Sequence, residues 1–92
     1  MALRRVRCVV AGLVQGVFYR AHTYDEACRL GLAGWVFNRV DGGVEAEFQG
    51  DDLEVGMMIN WLNTGSPMSQ VSKVTTTELG LFEGDNKFEV KY

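Results

Sequence analysis

The densest chemistry in this 92-residue chain lies in one run, Gly12-Leu13-Val14-Gln15-Gly16-Val17-Phe18-Tyr19-Arg20. It leaves an apolar, strand-like segment, passes two glycines and opens a helix-like one. The first N–H groups of a helix have no internal partners and point along its axis. The helix dipole adds about half a positive charge at that end. Together these make an anion site. Gly16 puts no Cβ between the backbone and a bound phosphate. Arg20, in the first helical turn, stays charged and can hold two phosphate oxygens at once. The same pattern also serves as a plain strand-to-helix turn, so the run alone leaves both readings open. It matches neither G-x-x-x-x-G-K-[ST] nor G-x-G-x-x-G.

Asn38 is the second candidate. Its amide can accept from a water and donate to an oxyanion, which suits a water-positioning residue in phosphoryl transfer. It can equally help start the hairpin turn that Asp41-Gly42 signals. His22 stands near Arg20 and is either a loop partner or simply exposed. Ser66 has no His/Asp partners, which leaves a serine hydrolase without support. Cys8 and Cys28 are too far apart for C-x-x-C, and His22 is the sole histidine, so no zinc motif is present. Reduced thiols are expected, with a Cys8–Cys28 disulfide left open.

The elements that must position these groups follow from periodicity. Residues 4–11 read as a strand with Val6, Cys8 and Val10 on its apolar face. Residues 19–30 read as a helix whose stripe is Tyr24, Ala27, Cys28 and Gly31. A short strand spans 35–38. After Asp41-Gly42 another spans 44–49, with Val44, Ala46 and Phe48 facing in, and Gly50 closes it. A second helix covers 52–63, opened by an Asp51/Glu54 capping box and striped by Val55, Met58, Ile59 and Leu62, with Met57 and Trp61 beside them in the core. Gly65-Ser66-Pro67 breaks it, 70–79 is the fourth strand, Gly84-Asp85-Asn86 turns, and Phe88, Val90 and Tyr92 form a closing strand.

The order is β-α-β-β-α-β with one strand appended. It predicts an α+β, ferredoxin-like sandwich: an antiparallel sheet with two helices on one face and an extra C-terminal strand. In that topology the first two strands run parallel with the third between them. Their C-terminal ends share one rim, which brings Asn38 to the loop at 12–20.

Composition narrows the partners. Net charge is −3, yet residues 1–39 carry six arginines against two acids, so an anion site fits the first half. The overall acidity argues against nucleic acid, which needs a basic stripe. No apolar run approaches the length of a membrane span. Arg4-Arg5 and the apolar stretch after them imitate a signal peptide, but without a small-residue cleavage site. A cytoplasmic domain spanning 1–92 is expected.

The nine-residue run closely resembles the acylphosphatase signature G-x-V-Q-G-V-x-[FY]-R. Gly34-Trp35-Val36-Phe37-Asn38, followed by Asp41-Gly42 and Val44-Glu45, resembles that family's second signature, G-[WFY]-V-x-N-x-x-D-G-x-V. The likeness runs over about residues 4–92. The resemblance implies hydrolysis of carboxyl–phosphate bonds in small molecules such as acetyl phosphate, 1,3-bisphosphoglycerate or carbamoyl phosphate. It implies that N–H groups of Gln15, Gly16, Val17, Phe18 and Tyr19 cradle the phosphate with Arg20, and that Asn38 orients the attacking water. No metal, cofactor or covalent enzyme intermediate is implied, and a monomer is the rule. Leu13 and Phe37 depart from the pattern, standing where relatives often carry basic or polar residues, which weakens the local positive field. The alternative is a non-catalytic ferredoxin-like module that binds a phosphate or other ligand. RNA-binding domains share the element order, but the strand Val44-Glu45-Ala46-Glu47-Phe48 is acidic on its outer face.

Overall fold

The fold is described from a computed structural model covering residues 2–84 and 86–92. Its first strand, β1 (Leu3–Leu13), is an inner strand of the sheet. Val6, Cys8 and Val10 alternate along it with more exposed positions and are fully buried. That alternation fixes one face of the pleat to the core. The remaining elements are α1 (Tyr19–Arg29), β2 (Ala33–Asn38), β3 (Val44–Asp51), α2 (Asp52–Thr64), β4 (Gln70–Leu79) and β5 (Phe88–Val90).

The sheet has five strands in the order β4-β1-β3-β2-β5. β1 pairs antiparallel with β3 and β4, and β2 antiparallel with β3. The split β-α-β pattern is therefore present as expected. The appended strand β5 pairs parallel with β2, Val36 opposite Val90, so the complete sheet is mixed. β1 and β2 run the same way on either side of β3, and their C-terminal ends share a rim. α1 packs over β2 and β5, while α2 packs over β1, β3 and β4. Phe48, Val55, Met58 and Leu62 fill the layer between sheet and helices without solvent contact.

The end of β1 is built for a change of direction. Its register against β4 shifts between Ala11 and Gly12. Gly12 sits at φ 131°, and a Cβ there would lie 2.1 Å from the Gln70 carbonyl oxygen. Only glycine fits this bulge, which releases the chain from the sheet into the loop before α1.

Several sequence expectations shift. The inward stripe of α1 is Tyr19, Thr23 and Ala27; Tyr24 and Cys28 are exposed. Thr23 can be buried because its hydroxyl donates to the Tyr19 carbonyl at 2.7 Å, so no polar atom is orphaned. Both cysteines are free, Cys8 in the core and Cys28 on the surface. β3 continues through Gly50 to Asp51. Asp51 caps α2 by accepting from the Leu53 N–H at 3.1 Å. The reciprocal half of the capping box is absent among the described residues: one Glu54 carboxylate oxygen is buried without a partner. Met57 is exposed rather than core, and Tyr92 lies beyond the last strand. The turn expected at Gly84-Asp85-Asn86 includes Asp85, which lies outside the described residues.

Candidate active site

The loop between β1 and α1 is held from three sides. Beneath it, Val14 is buried. On one flank the Gln15 side-chain amide donates to the carbonyls of Arg39 and Gly43, at 2.7 and 2.8 Å. On the other, the Ser66 hydroxyl donates to the Val17 carbonyl at 3.0 Å. Tyr19 pins the start of the helix: it is buried, tilts against Trp61 with ring centroids 5.6 Å apart, and donates its hydroxyl to the Leu62 carbonyl at 2.8 Å. Burial pushes the Tyr19 phenol well above its ordinary pKa, so it remains a donor.

Within this frame the backbone turns left-handed twice, at Gly16 (φ 74°) and Phe18 (φ 61°, ψ 23°). Left-handed residues two apart turn neighbouring N–H groups into one concavity, an anion-binding nest. Phe18 occupies the N-cap of α1 and offers no side-chain cap. Among the described residues, no backbone or side-chain acceptor takes the N–H groups of Gly16, Val17, Phe18, Tyr19 or Arg20. Nothing lies within 4 Å of where a Gly16 Cβ would project. The loop is thus rigidly supported, and its donors are free to meet an acceptor from outside.

A cavity of about 290 Å³ opens there, lined among others by Gly16, Phe18, Tyr19, Arg20 and Asn38. Arg20 Nη1 donates to the Lys91 carbonyl at 3.1 Å, and its guanidinium lies 4.7 Å from the centre of the Tyr92 ring. One edge and one face of the guanidinium are thereby fixed. Asn38 ends β2, and its side-chain oxygen is buried without a partner. The β2–β3 turn that follows is braced by Asp41, whose carboxylate accepts from the Gly43 N–H at 3.0 Å and pairs with Arg39 at 3.1 Å. The Gly43 N–H first, and then Arg39, hold the Asp41 carboxyl below the usual range.

Of the residues singled out from sequence, Gly16, Phe18, Tyr19, Arg20 and Asn38 face this one cavity. Gln15 and Val17 do not line it: the Gln15 side chain is spent on the hairpin and the Val17 carbonyl on Ser66. Val90, the Lys91 carbonyl and Tyr92 also shape the site and were not anticipated. The alternation of Phe88, Val90 and Tyr92 marked a strand; nothing local said that it ends beside Arg20. Among the described residues no group of three or more His, Cys, Asp or Glu side chains gathers as a metal site. The arrangement can hold a tetrahedral anion between backbone donors and one guanidinium, with Asn38 on the wall of the same cavity.

Comparison with known proteins gives the site its context. A family model described as Acylphosphatase matches residues 6–90. The chain is 43% identical over 93 residues to an acylphosphatase of Syntrophobacter fumaroxidans, covering all of this chain and 95% of that protein. Among solved structures, the acylphosphatase of Bacillus subtilis superposes with a TM-score of 0.93 at 37% identity, covering 99% of this chain and 100% of that one. An acylphosphatase from Coxiella burnetii superposes at 0.92 with 32% identity, covering 97% and 93%.

Proposed function

The chain belongs to the acylphosphatase family and is a hydrolase of acyl phosphates, and from that premise we propose that the bond is broken in the cavity between the β1–α1 loop and Asn38. The observation that carries this reading is the convergence of Arg20, the unpaired loop N–H groups and Asn38 on one space of about 290 Å³. The phosphoryl group rests in the nest at residues 16–20 with Arg20 across two of its oxygens. The Asn38 side-chain amide orients a water toward phosphorus. The new P–O bond forms as the bond to the acyl oxygen breaks, and the electron pair leaves on the carboxylate.

A carboxylate is a good leaving group, so a strong general acid is unnecessary. The transition state spreads charge over the equatorial oxygens, where fixed donors stabilise it without reorganising. The water's proton passes to the substrate itself, and no side chain of the protein is needed to take it. No metal enters any step. The other reading, a non-catalytic phosphate-binding module, is not favoured by the family match. Residues 1–92 act as one domain and, in this proposal, as a cytoplasmic monomer that binds no nucleic acid. The two free cysteines suit a reducing compartment, and the net charge of −3 suits the absence of a polyanionic partner.

The test is hydrolysis of benzoyl phosphate with EDTA present, by the wild type, Arg20→Gln and Asn38→Ala. Each variant loses about 10²–10³ in rate, the usual cost of one such donor, and the wild type is indifferent to the chelator. Turnover unaffected by either substitution would remove the site from this cavity.

A further inference from the structure

The cavity is larger than the group it anchors. Liquid water fills about 30 Å³ per molecule, so a phosphate group of five heavy atoms leaves much of the 290 Å³ to the acyl part of the substrate. Beside the nest the lining is apolar, and its exposed rings are Phe18 and Tyr92, with Val90 between core and solvent. Phe18 is 71% exposed and Tyr92 entirely so.

Phe18 is displayed at a cost. Its left-handed backbone (φ 61°) is uncommon for a bulky residue, and asparagine or glycine would hold it with less strain. The ring is not used to fill the core, since most of it meets solvent. The left-handed backbone serves the nest, and the exposed ring is what it sets at the cavity's edge.

The charges point the same way. Arg20 is the one cation among the described residues that line the cavity, and the phosphoryl group engages it. Nearby basic groups are committed elsewhere. Arg39 is paired with Asp41 and Glu45, and the Lys91 ammonium sits 5.0 Å from the centre of the Trp35 ring. A second anionic group on the acyl part would find no counter-charge there.

Resting on the proposed site, we infer that Phe18, Val90 and Tyr92 form an acyl subsite that selects acyl phosphates with uncharged, apolar acyl groups over those carrying a second anion. Phe18 and Tyr92 are the specificity residues, one ring on the loop and one beyond β5, and the acyl group passes between them.

The experiment measures kcat/KM for two substrate pairs. Acetyl and cyclohexanecarbonyl phosphate have leaving carboxylates of closely similar basicity, so their ratio reads the subsite and not the chemistry. Succinyl phosphate and its methyl ester differ by one charge at nearly constant shape. The wild type prefers cyclohexanecarbonyl over acetyl, and the ester over the acid, each by about tenfold, a modest value for apolar groups in an open pocket. Phe18→Asn suits the left-handed backbone and removes the ring; it brings the first ratio to within about twofold of unity. Tyr92→Ser, at a fully exposed position where folding is not at stake, lowers the same ratio. Equal wild-type values within both pairs, or a first ratio that survives both substitutions, would overturn the subsite while leaving the hydrolase reading intact. Failure to hydrolyse any of the four substrates would instead overturn the reading on which it rests.

Discussion

The side-chain amide of Gln15 lies 2.7 Å from the carbonyl oxygen of Arg39, the residue directly after Asn38. With a second bond to Gly43 it ties the phosphate loop to the hairpin that carries the water-positioning amide. Two halves of the proposed site, 23 residues apart in sequence, are thus set at a fixed distance by one glutamine. Gln15→Ala removes one of two donors to each carbonyl, since the Gly42 N–H also reaches the Arg39 carbonyl and the Arg39 N–H the Gly43 carbonyl. It should cost about 0.5–1.5 kcal/mol of stability for each bond lost and lower kcat/KM as well. Urea unfolding beside steady-state kinetics checks this; a variant as active as the wild type would show that the tie does not set the geometry.

Gly16→Ala separates folding from binding. No atom lies within 4 Å of the added methyl, so the structural penalty is the left-handed backbone alone, about 1–2 kcal/mol. The methyl projects where the phosphate must approach. Competitive inhibition by inorganic phosphate should weaken strongly while the fold persists. Unchanged inhibition would place the anion elsewhere.

Arg20→Lys keeps the charge and loses the planar fork. Lysine cannot reproduce both the bond to the Lys91 carbonyl and the stacking on Tyr92 while holding two phosphate oxygens. The expected drop in kcat/KM is about 10²-fold, with melting temperature little altered. Near-wild-type kinetics in this variant would reduce the role of Arg20 to charge alone.

His22→Ala should keep kcat within about threefold of the wild type, because side-chain acid–base catalysis is typically worth 10²–10⁴ and the proposed reaction uses none. A fall of that size, read from the initial rate at saturating benzoyl phosphate, would return a proton-transfer role to His22.

The hairpin brace titrates. Asp41 has its carboxyl lowered in the fold by the Gly43 N–H and Arg39. A lowered folded value means that its contribution is complete above the ordinary aspartate range. It begins to fade as pH falls through that range and is gone below the folded value. Stability from urea titrations in mild acid should therefore fall less steeply with pH in Asp41→Asn than in the wild type. Parallel curves would show that this brace is not felt.

Much of this protein was legible in its linear pattern. Alternation at Val6, Cys8 and Val10, and again at Val44, Ala46 and Phe48, needs only the two-residue period of a strand with one dry face. The glycine-marked loop, Arg20 and Asn38 could be picked out because few residue types suit an anion nest and a water-binding amide. The element order then implied the shared rim. The helical stripe of α1 was misplaced toward Tyr24 and Cys28, since a local period does not say which residue points down when a threonine can satisfy its own hydroxyl within the turn.

What the sequence determined alone is local: which segments extend, which coil, where the backbone must be glycine, and which groups could meet a phosphate. Tertiary structure alone decided the rest. It turned the Gln15 side chain away from the cavity and onto the hairpin, added β5 in parallel beside β2, and carried Lys91 and Tyr92 to Arg20 across sequence separations of 71 and 72. The physical reason is that these contacts join residues with no periodic relation to one another. They exist only after burial of the shared core has fixed where each strand ends.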